Sequence, residues 1–177
     1  DDKVIGKDVD FPESMGMIIE RPGFLPNMSG FRNLKLLAEI QGKITDTEIR
    51  NTISRVGLDP DPKKAVAKYS LGMKQRLNIA LVLLHNPDIV VLDEPFNGLD
   101  REGISLLKKV LVELEQKDKL IIVSSHSFAE LESVIDKVIM IQNGKIVKTS
   151  DFREMKSGDL KTLEDLYQKY QVEANLC

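Results

Sequence analysis

The segment of residues 89–100 constrains the fold of this chain more than any other. It opens with Ile89 to Leu92, a run of four apolar residues of which three are β-branched. This composition is typical of a buried parallel strand. Asp93 and Glu94 follow where that strand ends. Because open α/β sheets bind ligands at the carboxyl ends of their strands, the two carboxylates predict a functional site there. The alternative interpretation, a solvated acidic turn, suits the pair alone but not the whole stretch.

A second candidate site lies upstream, where Ser70 and Gly72 precede a helix predicted from about Met73 to His85. A hydroxyl and exposed backbone N–H groups at the positive end of a helix can bind an anion. An ordinary N-cap is the more common meaning of a lone serine in this position. A single predicted helix separates this serine from the two carboxylates. This short separation favours the anion-binding interpretation.

A third candidate is His126, one of only two histidines in the chain. It follows Ser124 and Ser125 at the end of a second predicted buried strand, Leu120 to Val123. A lone histidine carries little information. This one, however, follows the carboxyl end of a predicted strand, which is where open α/β sheets bind ligands.

Composition limits the class of protein. The 177 residues are 42% hydrophobic and 30% charged, which is typical of one globular domain or of a domain with a subdomain. The net charge of -3, the 5% aromatic content and the lack of Trp argue against a nucleic-acid partner. The only cysteine is Cys177, so no internal disulfide can form and a reducing compartment is expected.

The order of predicted elements indicates an α/β core with a helical insertion. A short strand is predicted to end at Glu20, and a Thr45–Glu48 capping box supports a helix within a region, 28–86, that is predicted to be helical. Strand, helix and strand follow, and then a hairpin turning at Asn143 and Gly144. We therefore expect four segments: 1–27 and 87–150 from the core, 28–86 as the helical subdomain, and 151–177 as a helical tail.

Together these motifs resemble the ATP-binding-cassette (ABC) family of ATPases. Residues 89–95 are similar to its Walker B strand, and Asn97-Gly98-Leu99-Asp100 is similar to its D-loop. Tyr69 to Arg76 resembles the signature motif, usually written Leu-Ser-Gly-Gly-Gln, with Leu71 in place of one glycine. His126 resembles the switch histidine.

The resemblance implies roles for these residues. Glu94 would be the general base for the attacking water, and Asp93 would hold a water of a bound Mg²⁺. His126 would contact the γ-phosphate of ATP. From the signature motif and the D-loop, the resemblance also implies four nucleotide-binding residues: Ser70, Gly72, Gln75 and Asp100.

Glu20 stands where most ABC domains have a glutamine that contacts Mg²⁺. Glu at this position, followed by Pro22-Gly23-Phe24, resembles the subgroup of bacitracin and lantibiotic self-protection exporters. The resemblance implies that Glu20 is a further metal ligand. The alternative is an acid paired with Arg21.

The phosphate loop Gly-x-x-x-x-Gly-Lys-Ser/Thr was not found. Gly6-Lys7, Gly42-Lys43 and Gly144-Lys145 lack both the following Ser/Thr and the upstream glycine. The expected fold is therefore a partial P-loop NTPase (ABC) core with parallel strands and an inserted helical subdomain, without the N-terminal strand and the Walker A helix. Their absence should expose an apolar face of the sheet.

The function implied is a fragment of the ATP-binding and ATP-hydrolysing subunit of a bacterial ABC transporter, an exporter of antimicrobial peptides or similar compounds. The chain by itself is expected to be inactive. Expected partners are a second ATP-binding subunit in a head-to-tail dimer and an integral membrane permease, at the cytoplasmic face of the cell membrane. The alternatives are a soluble ABC ATPase that does not transport and a non-catalytic interaction module.

Overall fold

The computed structural model describes residues 4, 6–12, 14–19, 23–42, 44–61, 63–155 and 162–174. The chain divides into two compact units, Asp1–Ser125 and His126–Cys177. In the first unit the elements are β1 (Met15–Ile18), α1 (Gly30–Gln41), α2 (Asp46–Arg55), a 3-10 turn (Val66–Lys68), α3 (Leu71–Leu83), β2 (Ile89–Asp93), α4 (Arg101–Glu115) and β3 (Leu120–Ser124). In the second they are α5 (Phe128–Leu131), β4 (Lys137–Gln142), β5 (Lys145–Asp151), α6 (Phe152–Met155) and α7 (Leu163–Ala174).

The first unit contains a parallel sheet in the order β1-β2-β3. Both predicted strands are present, β2 at the centre and β3 at one edge, and the register aligns Asp93 at the end of β2 with Ser124 at the end of β3. The prediction that Leu120 to Val123 is buried was wrong, because β3 is an edge strand whose residues are exposed or half-buried. Val90 and Leu92 are almost fully buried, which agrees with the apolar run read from the sequence. The sheet therefore brings the polar ends of two strands to the same edge.

The two faces of this sheet differ in exposure. Gly16 pairs with Val90, and a Cβ at Gly16 would lie 2.9 Å from the backbone oxygen of Val82 in α3. Helix α3 therefore packs closely on that face. On the opposite face Met17 is 38% exposed and Ile122 is 51% exposed, so the expected apolar surface is present.

The helical insertion consists of α1, α2 and α3, each of which begins at a side-chain cap. The Thr45 hydroxyl accepts a hydrogen bond from Glu48 N while the Glu48 carboxylate accepts one from Thr45 N, which confirms the predicted capping box. Helix α3 begins at Leu71 and ends at Leu83, two residues earlier at each end than predicted. The earlier start follows from Ser70, which acts as the N-cap.

The second unit holds the predicted hairpin. Strands β4 and β5 pair antiparallel around Asn143 and Gly144, both of which adopt positive φ angles, and β5 extends to Asp151. The spacing of Leu160, Leu163, Leu166 and Tyr167 predicts one apolar helix face in the tail. Leu163 and Leu166 of α7 are buried, as predicted, whereas Tyr167 is 39% exposed. Leu160 lies outside the described residues.

The α/β core with parallel strands and inserted helices confirms the predicted fold class. Within the described ranges, no helix is both long enough and apolar enough to span a membrane.

Candidate functional site

The candidate site lies at the carboxyl end of the parallel sheet. Asp93 is the last residue of β2 and is exposed, and its carboxylate is hydrogen-bonded by the hydroxyl of Ser124, the last residue of β3. The next pair repeats this contact, since the Ser125 hydroxyl donates to Glu94 Oε2 at 3.3 Å. Each predicted carboxylate is thus positioned by a hydroxyl from the neighbouring strand.

Glu94 has an unusual backbone conformation. Its φ angle is +46°, in the left-handed region that residues other than glycine rarely adopt. Its N–H donates to Ser124 O at 2.9 Å, and its carbonyl accepts from Asn97 N at 3.2 Å. Strained backbone of this kind is found at sites where the surrounding structure holds a side chain in a required position.

The start of α3 places the second group of predicted residues. Ser70 Oγ accepts from Met73 N at 3.2 Å, so the ordinary capping role is present. Backbone N–H groups at the start of a helix favour an anion, and a hydroxyl that accepts one bond can still donate another. The anion-binding role of Ser70 and Gly72 remains a prediction.

The start of α3 also contacts the segment after β2. A Cβ at Gly72 would lie 2.9 Å from Gly98 O, and a Cβ at Gly98 would lie 2.6 Å from Cδ2 of Leu71. Gly98 itself has a φ angle of +76°. Gly72 therefore permits a close approach of the Gly98 backbone, and Gly98 leaves space for the Leu71 side chain.

Two further side chains of α3 reach the same segment. The Gln75 amide Nε2 donates to Pro95 O at 3.2 Å. Arg76 pairs with the Asp100 carboxylate at 2.8 Å, and Asp100 also caps α4 by accepting from Gly103 N at 2.8 Å. These two bonds lower the pKa of Asp100, the backbone bond from Gly103 contributing most. Gln75 and Asp100 are predicted as nucleotide-binding residues, and their contacts within the chain were not predicted from the sequence.

His126 and Glu20 are the remaining predicted residues. His126 is exposed and is the first residue of the second unit. Glu20 lies outside the described residues. The glycines of the Gly-Lys pairs serve turns and helix ends: Gly42 is the C-cap of α1, Gly144 lies in the hairpin turn, and Gly6 lies in a turn closed by hydrogen bonds to Val4.

The carboxylate oxygens at the strand ends suit Mg²⁺ better than they suit a metal ion whose ligands are all protein side chains. The described residues contain no group of three or more His, Cys, Asp and Glu side chains that could hold a metal ion. Asp93 and Glu94 offer carboxylate oxygens, and Mg²⁺ usually takes one or two carboxylates while keeping several waters and phosphate oxygens. The residues present therefore fit a Mg²⁺ ion that keeps several waters.

The model of the ABC transporter family matches residues 3–97, more than half of the chain. A bacitracin transport ATP-binding protein, BcrA of Enterococcus faecalis, is 37% identical over 151 residues, which are 85% of this chain and 49% of that protein. A lantibiotic transport ATP-binding protein, SrtF of Streptococcus pyogenes, is 36% identical over 138 residues, which are 78% of this chain and 60% of that protein. The chain thus spans about half to three fifths of the length of these relatives.

Solved structures show the same fold. The structure of an ATP-binding subunit of an ABC transporter has a TM-score of 0.76 at 25% identity, covering 88% of this chain and 68% of that one. A dimeric, post-hydrolysis structure of the ATP-binding cassette MJ0796 with ADP and Pi has a TM-score of 0.67 at 19% identity, covering 78% of this chain and 62% of that one. The predicted resemblance is confirmed, and the chain belongs to the ABC transporter family, with the fold of its ATP-binding subunit.

Proposed function

We propose that this chain is part of the ATP-binding and ATP-hydrolysing subunit of an ABC exporter. The observation that supports this most is the pairing of Asp93 with Ser124 and of Glu94 with Ser125 at adjacent strand ends. Two carboxylates in that place, in a chain of this family, suit phosphoryl transfer to water.

Glu94 is the proposed general base. Its carboxylate would orient and deprotonate the attacking water, a role that requires hydrogen-bond reach rather than high flexibility. The bond from Ser125 and the constrained backbone of Glu94 limit the positions of that carboxylate. His126, the next residue after Ser125, is the proposed contact to the γ-phosphate.

Asp93 is the proposed anchor for magnesium. When bound, Mg²⁺ would neutralise charge on the phosphate oxygens. Asp93 would hold one of its water ligands, and the exposure of this carboxylate leaves room for that water. Glu20 is the second proposed metal ligand, from a segment outside the described residues.

Ser70 and Gly72 are proposed to contact ATP held by a second copy of the subunit in a head-to-tail dimer. The Ser70 hydroxyl and the first N–H groups of α3 supply donors for phosphate oxygens. Gln75 and Asp100 belong to the same proposed contact region, and Asp100 would link the two sites of the dimer.

The proposed partner in the membrane is a permease subunit, and the proposed cargo is an antimicrobial peptide or a similar compound. This is supported by the relatives, whose names describe bacitracin and lantibiotic transport. The proposed location is the cytoplasmic face of a bacterial cell membrane. Glu20 to Gly30 and the helices after it would contact the permease.

Calorimetry with Mg²⁺-ATP tests this function. We expect the full-length protein to bind Mg²⁺-ATP and hydrolyse it, and a protein limited to residues 1–177 to bind it weakly, because no phosphate loop occurs in this sequence. Tight binding by residues 1–177 alone would contradict the account, since the phosphates would then be held by residues assigned no role. A full-length protein that binds no nucleotide would contradict the proposed function itself.

A further inference from the structure

The turn that carries Glu94 is attached to α3 by a side-chain hydrogen bond. Gln75 lies one turn into that helix, and its Nε2 donates to the carbonyl oxygen of Pro95 at 3.2 Å. Pro95 is almost fully buried. A buried carbonyl that loses its donor is costly, because water cannot replace the missing partner. The bond therefore fixes the orientation of the Pro95–Phe96 peptide, one residue beyond Glu94.

A second amide sets the orientation of the first. Asn78, on the next turn of α3, is only 4% exposed, and its Nδ2 donates to Gln75 Oε1 at 3.4 Å. With its oxygen accepting from Asn78, the Gln75 amide directs its nitrogen toward Pro95. Asn78 Oδ1 has no hydrogen-bond partner within the part of the chain that the structure describes. A buried amide that leaves one atom unsatisfied is unfavourable for stability alone, which points to a role in holding Gln75.

The turn needs such support because of its backbone. Glu94 has a φ angle of +46°, and conformations of this kind persist only where neighbouring contacts over-determine them. On one side, Glu94 N donates to Ser124 O at 2.9 Å. On the other side, Pro95 O accepts the hydrogen bond from the Gln75 side chain of α3. Loss of that bond would let the Pro95 peptide rotate and would move the Glu94 carboxylate with it.

We propose that Gln75, oriented by Asn78, is a positioning residue that holds the Glu94 carboxylate where it can act on the attacking water. This inference rests on the proposed function, because it assigns a support to the same general base. The positioning role of Gln75 also gives α3 a second function. Helix α3, which is capped by Ser70, would hold the base of its own chain as well as the proposed phosphate contact to the partner.

The test compares four variants of the full-length protein in steady-state ATP hydrolysis. Gln75→Met preserves length and removes both hydrogen bonds, and Asn78→Leu removes only the orienting bond. We expect kcat to fall about tenfold for Gln75→Met and less for Asn78→Leu, because the base is displaced. The KM for ATP is compared in Asn78→Leu, where it should stay within about twofold of wild type, because Asn78 has no proposed contact with ATP whereas Gln75 does. Leu83→Ala, a cavity at the other end of α3, is the matched control for stability. It should lower the melting temperature without lowering the kcat of the folded protein.

Hydrogen exchange provides a readout that does not depend on turnover. The Asn97 N–H donates to Glu94 O, so it should exchange faster in Gln75→Met and at the wild-type rate in Leu83→Ala. An unchanged kcat in Gln75→Met, or a loss of kcat equal to that of Leu83→Ala, would overturn the inference. Glu94→Gln distinguishes a failure of this inference from a failure of the proposed function. If Glu94→Gln keeps normal turnover, Glu94 is not the base, and the proposed function fails independently of the result for Gln75→Met.

Discussion

The guanidinium of Arg76 lies 2.8 Å from the carboxylate of Asp100, and this pair joins α3 to the start of α4. The Arg76 side chain is 11% exposed, and a Cβ at Gly57 or Gly103 would lie within 3.2 Å of its guanidine nitrogens. The two glycines thus leave the space in which Arg76 reaches Asp100. This pair, together with the contact of Leu71 with Gly98, attaches both ends of the Asn97–Asp100 segment to one helix.

The charge of Asp100 should make stability depend on pH. Its pKa in the folded protein is lowered by the Gly103 N–H and then by Arg76. The ionised carboxylate therefore stabilises the fold above the ordinary aspartate pKa of 3.8, and that contribution is lost as the pH falls below 3.8 through the lower folded pKa. Asp100→Asn keeps the cap and removes the charge, so it should be less stable than wild type near neutral pH, with a difference that shrinks in acid.

Urea unfolding near pH 7 and at about pH 3 measures this effect. Asp10→Asn, which removes one charge at an exposed aspartate outside these helices, is the control. A constant deficit of Asp100→Asn at both pH values would show that the charge makes no contribution.

A side chain at Gly98 should lower the stability of the fold while the Leu71 side chain is present. Gly98→Ala is expected to destabilise the fold by about 1–3 kcal/mol, because the new Cβ would meet Leu71 atoms at 2.6 Å and because φ is +76°. In a Leu71→Ala background only the backbone part, about 1 kcal/mol, should remain. Gly42→Ala is the matched control, with a φ of +71° and nothing within 4 Å of its Cβ.

Thermal or urea unfolding of these variants gives the coupling between the two positions. If Gly98→Ala costs the same with and without the Leu71 side chain, the close contact of these residues has no energetic weight.

Ser70 should have two separable roles. Ser70→Ala should lower stability by about 1 kcal/mol, since it removes the acceptor for Met73 N. Ser70→Asp and Ser70→Asn should both retain the cap and stay within about 0.5 kcal/mol of wild type. In the full-length protein, however, the carboxylate should repel phosphate, so turnover should be much lower for Ser70→Asp than for Ser70→Asn. Equal turnover in these two variants would argue that no phosphate approaches Ser70.

Local sequence signals predicted much of the fold. The apolar run of β2, the capping box of α2 and the hairpin turn at Asn143 and Gly144 each depend on neighbouring residues, so their patterns are visible in a single sequence. Strand ends and helix starts mark where polar groups gather, and these signals indicated Asp93, Glu94, His126, Ser70 and Gly72 as candidates. The roles of Gln75, Asp100 and Glu20 were implied only by the family resemblance.

The contacts that organise the site could not be read in this way. The bond from Gln75 to Pro95 joins residues that are 20 positions apart, and the serine-to-carboxylate bonds join residues 31 positions apart. Each depends on how α3 and β3 pack beside β2. The left-handed backbone of Glu94 is also invisible in the sequence, because the conformation is imposed by bonds on both sides of the turn rather than by the preference of a glutamate.

The most direct test of the central claim, that Glu94 is the base for ATP hydrolysis, is phosphate release by Glu94→Gln in the full-length protein with Mg²⁺-ATP binding measured in the same preparation. Glu115→Gln, at an exposed glutamate at the end of α4, is the control. We expect Glu94→Gln to bind Mg²⁺-ATP as wild type does while its turnover falls by about a hundredfold or more, and we expect Glu115→Gln to be unaffected. Wild-type turnover in Glu94→Gln would contradict it.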